Sequence, residues 1–271
     1  MKDQWDPGVY VRRRSERQRP FAELVDRIGA DAPDVRNVVD LGCGPGYLTA
    51  DLAQRYPWAS VSGIDSSESM IAEANRLATD RLTFSVGDVT AWTPGAETDV
   101  VVTNAVLQWV PDHPHVLRGW ASALRPGAWL AMQVPGNHDA PSHRAVREVS
   151  AAPAWRARLA GALGPWHVPA PAAYATLLTD VGCRVDAWET TYLHDLTADG
   201  EQHPVLGWLE GTTLRPVIAA LTPDEWSAFT AQLTARLVTD YPEVGGRVWY
   251  PFRRVFVVAE KLDQQAPFTA S

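Results

Sequence analysis

Between residues 35 and 134 the chain alternates short apolar runs with stretches of helical spacing. Residues 35–41, 59–64, 82–86, 98–103 and 128–134 are brief, and the first is a β-branched run. Runs of that length and composition predict buried strands. Between them, 47–56, 68–78 and 115–124 space their apolar residues as helices do. Ser66 or Ser67 serves as the cap before Glu68, and Arg125-Pro126-Gly127 closes the third helix. A helix over 21–28 precedes the series, with Pro20 in its first turn. Repeated strand–helix units predict an α/β fold: a Rossmann-like, seven-stranded, mostly parallel sheet with helices on both faces.

After Val134 the rhythm breaks. Residues 135–170 are rich in Ala, Pro, His and Trp. A helix over 172–181 and a strand over 183–190 return to the core pattern. A second interruption, mostly helical, contains 204–210 and 224–239, and a final strand runs over 255–260. The expected organisation is a cofactor-binding core over 1–134, a cap insertion over 135–170 and a return to the core over 171–191. A helical cap insertion over 192–250, a last core segment over 251–262 and a tail over 263–271 complete it. The two insertions read as one helical cap at the carboxyl edge of the sheet, where open α/β sheets bind ligands.

Composition narrows the classes. Hydrophobic residues at 46 % and charged residues at 21 % over 271 positions suit a folded chain with a sizeable core. Twelve tryptophans read mainly as core, with a few lining a pocket. A net charge of −8 argues against a nucleic-acid partner, which needs a basic face. The one basic run is Arg12-Arg13-Arg14 with Arg17 and Arg19. Two cysteines, Cys43 and Cys183, make neither a disulfide framework nor a metal spacing, so no metal is expected. No apolar run approaches the ~18 residues of a membrane span, and the first residues carry no signal-peptide pattern. A cytoplasmic location is the simplest expectation.

The segment Val38-Val39-Asp40-Leu41-Gly42-Cys43-Gly44-Pro45-Gly46 carries the chemistry. A strand enters a glycine turn that opens a helix. Gly42, Gly44 and Gly46 permit the tight turn and let a ligand press against backbone. Their spacing is Gly-x-Gly-x-Gly, not the Gly-x-Gly-x-x-Gly of dinucleotide sites. Asp40 at the loop entrance suits a ligand with a cationic end. Asp65 closes the second strand, where a carboxylate accepts from two ribose hydroxyls, and Ser66 follows it. Asp88, with Val89, follows the third strand and is placed for an adenine amino group. Asn104 ends the fourth strand, where, under the resemblance given below, the methionine moiety or the reacting methyl would lie. Gln108 and Trp109 would then face the methyl group's target as positioning residues, with the alternative of a helical turn holding a buried Trp.

The glycine loop resembles motif I of class I S-adenosylmethionine-dependent methyltransferases. Over nearly the whole length the chain is similar to the family of trans-aconitate 2-methyltransferases. Beyond the loop, the likeness is carried by Trp5-Asp6-Pro7, Tyr10, Ser15-Glu16-Arg17, Arg19-Pro20 and Gly63-Ile64-Asp65-Ser66-Ser67. It continues through Leu107-Gln108-Trp109-Val110-Pro111-Asp112-His113, Pro141-Ser142-His143, Gly182-Cys183 and Trp188-Glu189-Thr190-Thr191-Tyr192 with His194. Leu214-Arg215-Pro216 and Phe252-Arg253-Arg254-Val255-Phe256 complete it. The Arg12–Arg14 run has no counterpart in that pattern.

The resemblance implies S-adenosylmethionine as cofactor and a small polycarboxylate as acceptor, esterified on one carboxylate. Such an acceptor is ionised at neutral pH, so no general base is expected. Arginine forks suit its carboxylates. The acceptor candidates are Tyr10, Arg17, Arg19, Gln108, His143, Tyr192, His194, Arg215 and Arg254, with Arg215 and Arg254 foremost. Other readings are a methyltransferase for another small carboxylate or an acyl-carrier-linked acid. From a different class come a nicotinamide-binding oxidoreductase or a plain binding module.

Overall fold

The computed structural model describes residues 14–29, 34–164, 167–197, 200 and 202–263. Its elements are α1 (Arg14–Val25), β1 (Asn37–Leu41), α2 (Tyr47–Arg55), β2 (Ser60–Asp65), α3 (Glu68–Ala74), β3 (Leu82–Val86) and β4 (Val100–Asn104). There follow α4 (His113–Ala123), β5 (Trp129–Pro135), α5 (Pro141–Ser150), α6 (Pro171–Thr179) and β6 (Cys183–Thr197). The chain closes with α7 (Pro204–Glu210), α8 (Arg215–Ala220), α9 (Pro223–Asp240) and β7 (Arg247–Lys261).

The seven strands form one sheet in the order β3-β2-β1-β4-β5-β7-β6. β1 pairs in parallel with β2 and β4, β2 with β3, and β4 with β5. The end of β7 lies beside the start of β5: Gly127 N–H donates to Lys261 O at 2.8 Å and Lys261 N–H to Ala128 O at 2.9 Å. β7 therefore runs against its neighbour, and the sheet is mostly parallel, as its pattern predicts. Strand order reverses between β1 and β4. Such a switch point is where open α/β sheets bind ligands, at the strands' carboxyl ends; Gly42 follows β1 there and Asn104 ends β4.

Apolar runs become central strands because both faces are covered. Every residue of β4 is buried, and Val38 and Leu41 of β1 are buried beside it. Asp99 fixes the entry to this pair: its Oδ2 accepts from Arg36 N–H at 2.6 Å and Asn37 N–H at 2.9 Å. Burial raises the Asp99 pKa, but these two backbone bonds and the Arg125 guanidinium outweigh it, and the net shift is downward.

The chain divides into two compact units. One holds the chain up to Val134, Pro169–Glu189 and the chain from Val255. The other holds Pro135–Val168 and Thr190–Arg254. Its core is its own: Trp155, Trp208, Phe229, Leu233, Tyr241 and Tyr250 are among the side chains buried together. The longest helix, α9, opens on a capping box. Thr222 Oγ1 accepts from Glu225 N–H while the Glu225 carboxylate accepts from Thr222 N–H.

Several boundaries depart from the sequence reading. α1 begins at Arg14, so Pro20 lies inside it rather than in its first turn. Polar residues 14–19 extend a helix that apolar spacing dates only from Phe21. The expected helix over 68–78 ends at Ala74 and tightens into a 3₁₀ turn over Asn75–Leu77. β6 continues to Thr197 and β7 starts at Arg247, so both ends of the second insertion are strand, not helix. Each long strand extends beside the other, with Arg247 ion-paired to Asp195 across them. The two compact units change over at 134/135, 168/169, 189/190 and 254/255. Helices α5 and α8 have no counterpart in the sequence reading.

Candidate functional site

The loop after β1 is held by the end of β2. Gly42, Gly44 and Gly46 have φ of 78°, 55° and 81°, a region that disfavours residues with a Cβ. Gly42 and Cys43 N–H donate to Ile64 O at 2.7 and 3.1 Å. Gly44 N–H donates to Asp65 Oδ2 and Ser67 N–H to Asp65 Oδ1, both at 2.9 Å. Asp65 thus braces the glycine loop from the end of β2. Ser67 caps α3, its Oγ accepting from Met70 N–H at 3.2 Å. Ser66 is exposed beside it. Asp88 is exposed, and its Oδ1 accepts from both Thr90 N–H and Thr90 Oγ1–H at 2.8 Å. Val89, next to it, is buried.

Asp40 is buried under this loop. Thr49 Oγ1 donates to its Oδ2 at 2.6 Å. Burial pushes its pKa from 3.8 up to about 7; the Thr49 bond pulls the other way and the charge of Asp65 adds to the rise. Thr49 is a site residue that sequence reasoning missed. Its signal was a polar residue one helical turn before Leu52, on a face that is otherwise buried. The Cys43 thiol is buried too, and its pKa is pushed upward by that burial and by Asp40 and Asp65. A thiol held protonated in this way is a packing group, not a nucleophile.

The second wall of the site follows β4. Thr103 Oγ1 donates to Leu41 O at 2.9 Å, joining the two strand ends. Asn104 is buried, and its Oδ1 has no hydrogen-bond partner among the described residues. Ala105 stands at φ 58° and donates its N–H to Gln133 O at 2.8 Å. Gln108 Nε2 donates back to Ala105 O at 2.7 Å, while Gln108 Oε1 is buried without a partner among the described residues. Trp109 shares the 3₁₀ turn Leu107–Trp109 and is half-buried. The segment ends at Asp112, φ 53°, and at His113, whose Nε2 lies 2.6 Å from the buried Tyr174 hydroxyl. The two walls interlock: a Cβ on Gly42 would lie 2.1 Å from Val106 Cγ2.

Of the expected acceptor residues, Tyr10 and the Arg17 side chain lie outside the described residues, as do Arg12 and Arg13. Arg19 forms a surface ion pair with Glu23 at 2.9 Å, its side chain 72 % exposed. Tyr192, His194 and Arg254 come together inside the second unit. The Arg254 guanidinium lies 5.0 Å from the Phe252 ring and 6.0 Å from the Tyr192 ring. His194 stacks at 6.5 Å on Tyr192 and meets Trp208 at 4.6 Å. Arg254, Tyr192 and Trp208 are all buried. Trp208 and Phe252 are further members of the cluster, which no spacing in the sequence assigns to it. His143 belongs to a different network. Its Nδ1 lies 3.1 Å from Ser142 Oγ and its Nε2 3.1 Å from Thr213 Oγ1. Burial, with Arg147 and His138 nearby, lowers its pKa to about 4. It is neutral at physiological pH, so it supplies no charge to an anion. Arg215 donates from Nε to Gly211 O at 3.2 Å, at the start of α8.

Among the described residues no group of three His, Cys, Asp or Glu could hold a metal ion. Among them, too, no helix is long and apolar enough to cross a membrane.

Residues 13–187 match the family described as a methyltransferase domain. The chain is 51 % identical over 260 residues to the trans-aconitate 2-methyltransferase of Mycobacterium sp. (strain KMS), covering 94 % of this chain and 98 % of that protein. It is 48 % identical over 261 residues to the protein of that name from Rhodococcus jostii (strain RHA1), covering 94 % and 99 %. Among solved structures, the YcgJ protein of Bacillus subtilis superposes with a TM-score of 0.60 at 12 % identity, covering 91 % of this chain and 99 % of that one. This last likeness concerns the fold alone.

Proposed function

Because the chain belongs to the trans-aconitate 2-methyltransferase family, we propose that it uses S-adenosylmethionine to methylate one carboxylate of trans-aconitate, giving a monomethyl ester. One observation carries the acceptor. Similarity of about half the residues runs on past the methyltransferase domain, which ends at residue 187, and spans 94 % of the chain. It therefore includes the second unit, whose side chains are not generic to cofactor binding.

The residues present suit the cofactor. Asn104 Oδ1 is a buried acceptor without a protein partner among the described residues, a costly arrangement unless a ligand donor meets it. Asp65 stands at the end of β2, where its carboxylate would face ribose hydroxyls, and Asp88 offers an oxygen to an adenine amino group. Gly42, Gly44 and Gly46, all at positive φ, form the tight turn between β1 and α2 that the ligand would meet. When bound, S-adenosylmethionine supplies a methyl group activated by a sulfonium charge.

The chain's own residues then align, neutralise and exclude water. The acceptor carboxylate is ionised at neutral pH, so none of them needs to remove a proton from it. Rate comes from orientation and desolvation. Arg254 is the principal acceptor anchor: a guanidinium sandwiched near Phe252 and Tyr192 has a preset fork for a carboxylate. His194 and Tyr192 flank it. We take the location as cytoplasmic, in keeping with two buried free thiols.

The test is direct. Incubation with S-adenosylmethionine and trans-aconitate should yield methyl ester and S-adenosylhomocysteine in equal amounts. Turnover no higher than without acceptor would refute the reading. Turnover of another acid from a panel, but not of trans-aconitate, would keep the methyltransferase and replace its acceptor.

A further inference from the structure

Gln108 has the wrong atom free to hold an acceptor carboxylate. Its Nε2 is committed to Ala105 O at 2.7 Å. That bond also sets the orientation of the amide, since the flipped amide would press two carbonyl oxygens together. The atom left over is Oε1, buried and without a partner among the described residues. Four residues earlier, Asn104 Oδ1 is in the same condition. Both oxygens belong to one short segment leaving the carboxyl end of β4. Both accept hydrogen bonds, and neither attracts an anion.

The backbone between them supports a built arrangement. Ala105 and Asp112, at φ 58° and 53°, are the non-glycine residues with positive φ among those described; Ala105 lies between the two oxygens' residues and Asp112 follows Gln108. Alanine gains nothing from that conformation, and strain of this kind persists where surrounding contacts impose it. Those contacts are here: Ala105 N–H is held by Gln133 O, and Ala105 O is held by the Gln108 amide. The strained residue thus orients the Gln108 side chain through its own carbonyl.

We propose that Gln108 is a charge-reading residue on the cofactor side of the site: its amide oxygen meets the cationic sulfonium methyl group, while Asn104 meets the cofactor's ammonium. The inference rests on the S-adenosylmethionine reading given above. Its consequence is discrimination between donor and product. The donor carries the sulfonium charge and the product does not, so Gln108 favours the donor over S-adenosylhomocysteine. The ammonium is common to both, so Asn104 serves both alike. Gln108 takes no part in holding the acceptor's carboxylates.

Calorimetry with the full chain tests this, using S-adenosylmethionine and S-adenosylhomocysteine on wild type, Gln108→Met and Asn104→Leu, with thermal melts to verify folding. Gln108→Met should lower the donor-to-product affinity ratio by about threefold, the scale of one C–H···O contact. It should leave the acceptor KM within about twofold of wild type, while Asn104→Leu should weaken both ligands together. An unchanged ratio in Gln108→Met, above all with a raised acceptor KM, would overturn the proposal while the methyltransferase reading stands. Unchanged binding of both ligands by Asn104→Leu would remove Asn104 from it. Wild type that binds neither ligand would sink both readings.

Discussion

Replacing Asp40 by asparagine should change how stability depends on pH. In the folded chain burial raises the Asp40 pKa to about 7, whereas an unfolded aspartic acid titrates near 3.8–3.9. Between those values the folded state binds the proton and the unfolded state does not. Stability therefore falls as pH rises through this window, and the loss is complete once pH exceeds the folded pKa. A displacement of about three pH units corresponds to about 4 kcal/mol, at ~1.36 kcal/mol per unit. The asparagine side chain carries no ionisable group, yet it keeps an oxygen able to accept from Thr49 Oγ1. The difference in unfolding free energy between Asp40→Asn and wild type should thus grow with pH from about 4 to about 7 and level off above about 7.5. Urea unfolding followed by tryptophan fluorescence, repeated across that range, reads it. A difference that stays flat with pH would show that Asp40 is ionised in the folded chain, and that burial does not hold its proton.

Three further outcomes follow from the same geometry. Asp65→Ala removes the acceptor of both Gly44 N–H and Ser67 N–H and should weaken S-adenosylhomocysteine at least tenfold, about 1.4 kcal/mol; an unchanged Kd by calorimetry would contradict the brace. Gly42→Ala forces a Cβ to 2.1 Å from Val106 Cγ2 at a φ of 78°, so a loss of about 2 kcal/mol or more is expected in urea unfolding, and an unaltered midpoint would refute the interlock. Arg254→Ala should raise the acceptor KM about tenfold or more while leaving S-adenosylhomocysteine affinity alone, and Arg254→Lys should recover it only in part because lysine lacks the fork. A wild-type acceptor KM in either would take Arg254 out of the acceptor site.

The acids at the ends of β1, β2 and β3 were legible because each sits at a fixed offset from an apolar run, and a strand's end is a place that local pattern marks. Asp40, Asp65 and Asp88 stand where that offset puts them. The partners that set their chemistry were not legible. Thr49 reaches Asp40 only because α2 packs back on β1, and Tyr174 reaches His113 from 61 residues away. Nor could spacing separate the two histidines expected at the acceptor: His194 joins the Arg254 cluster, whereas His143 is neutral in a hydroxyl network of its own.

Local pattern sets the alternation of strand and helix, the glycine turn and its neighbouring acids, since apolar periodicity and glycine's conformational freedom act over a few residues. It also carries the family likeness. Packing in three dimensions sets which amide oxygens go unpaired among the described residues, which carboxyl group has its pKa raised to about 7 and which arginine is buried among aromatic rings. Those properties depend on desolvation and on partners distant in the chain, and neither is written in local spacing.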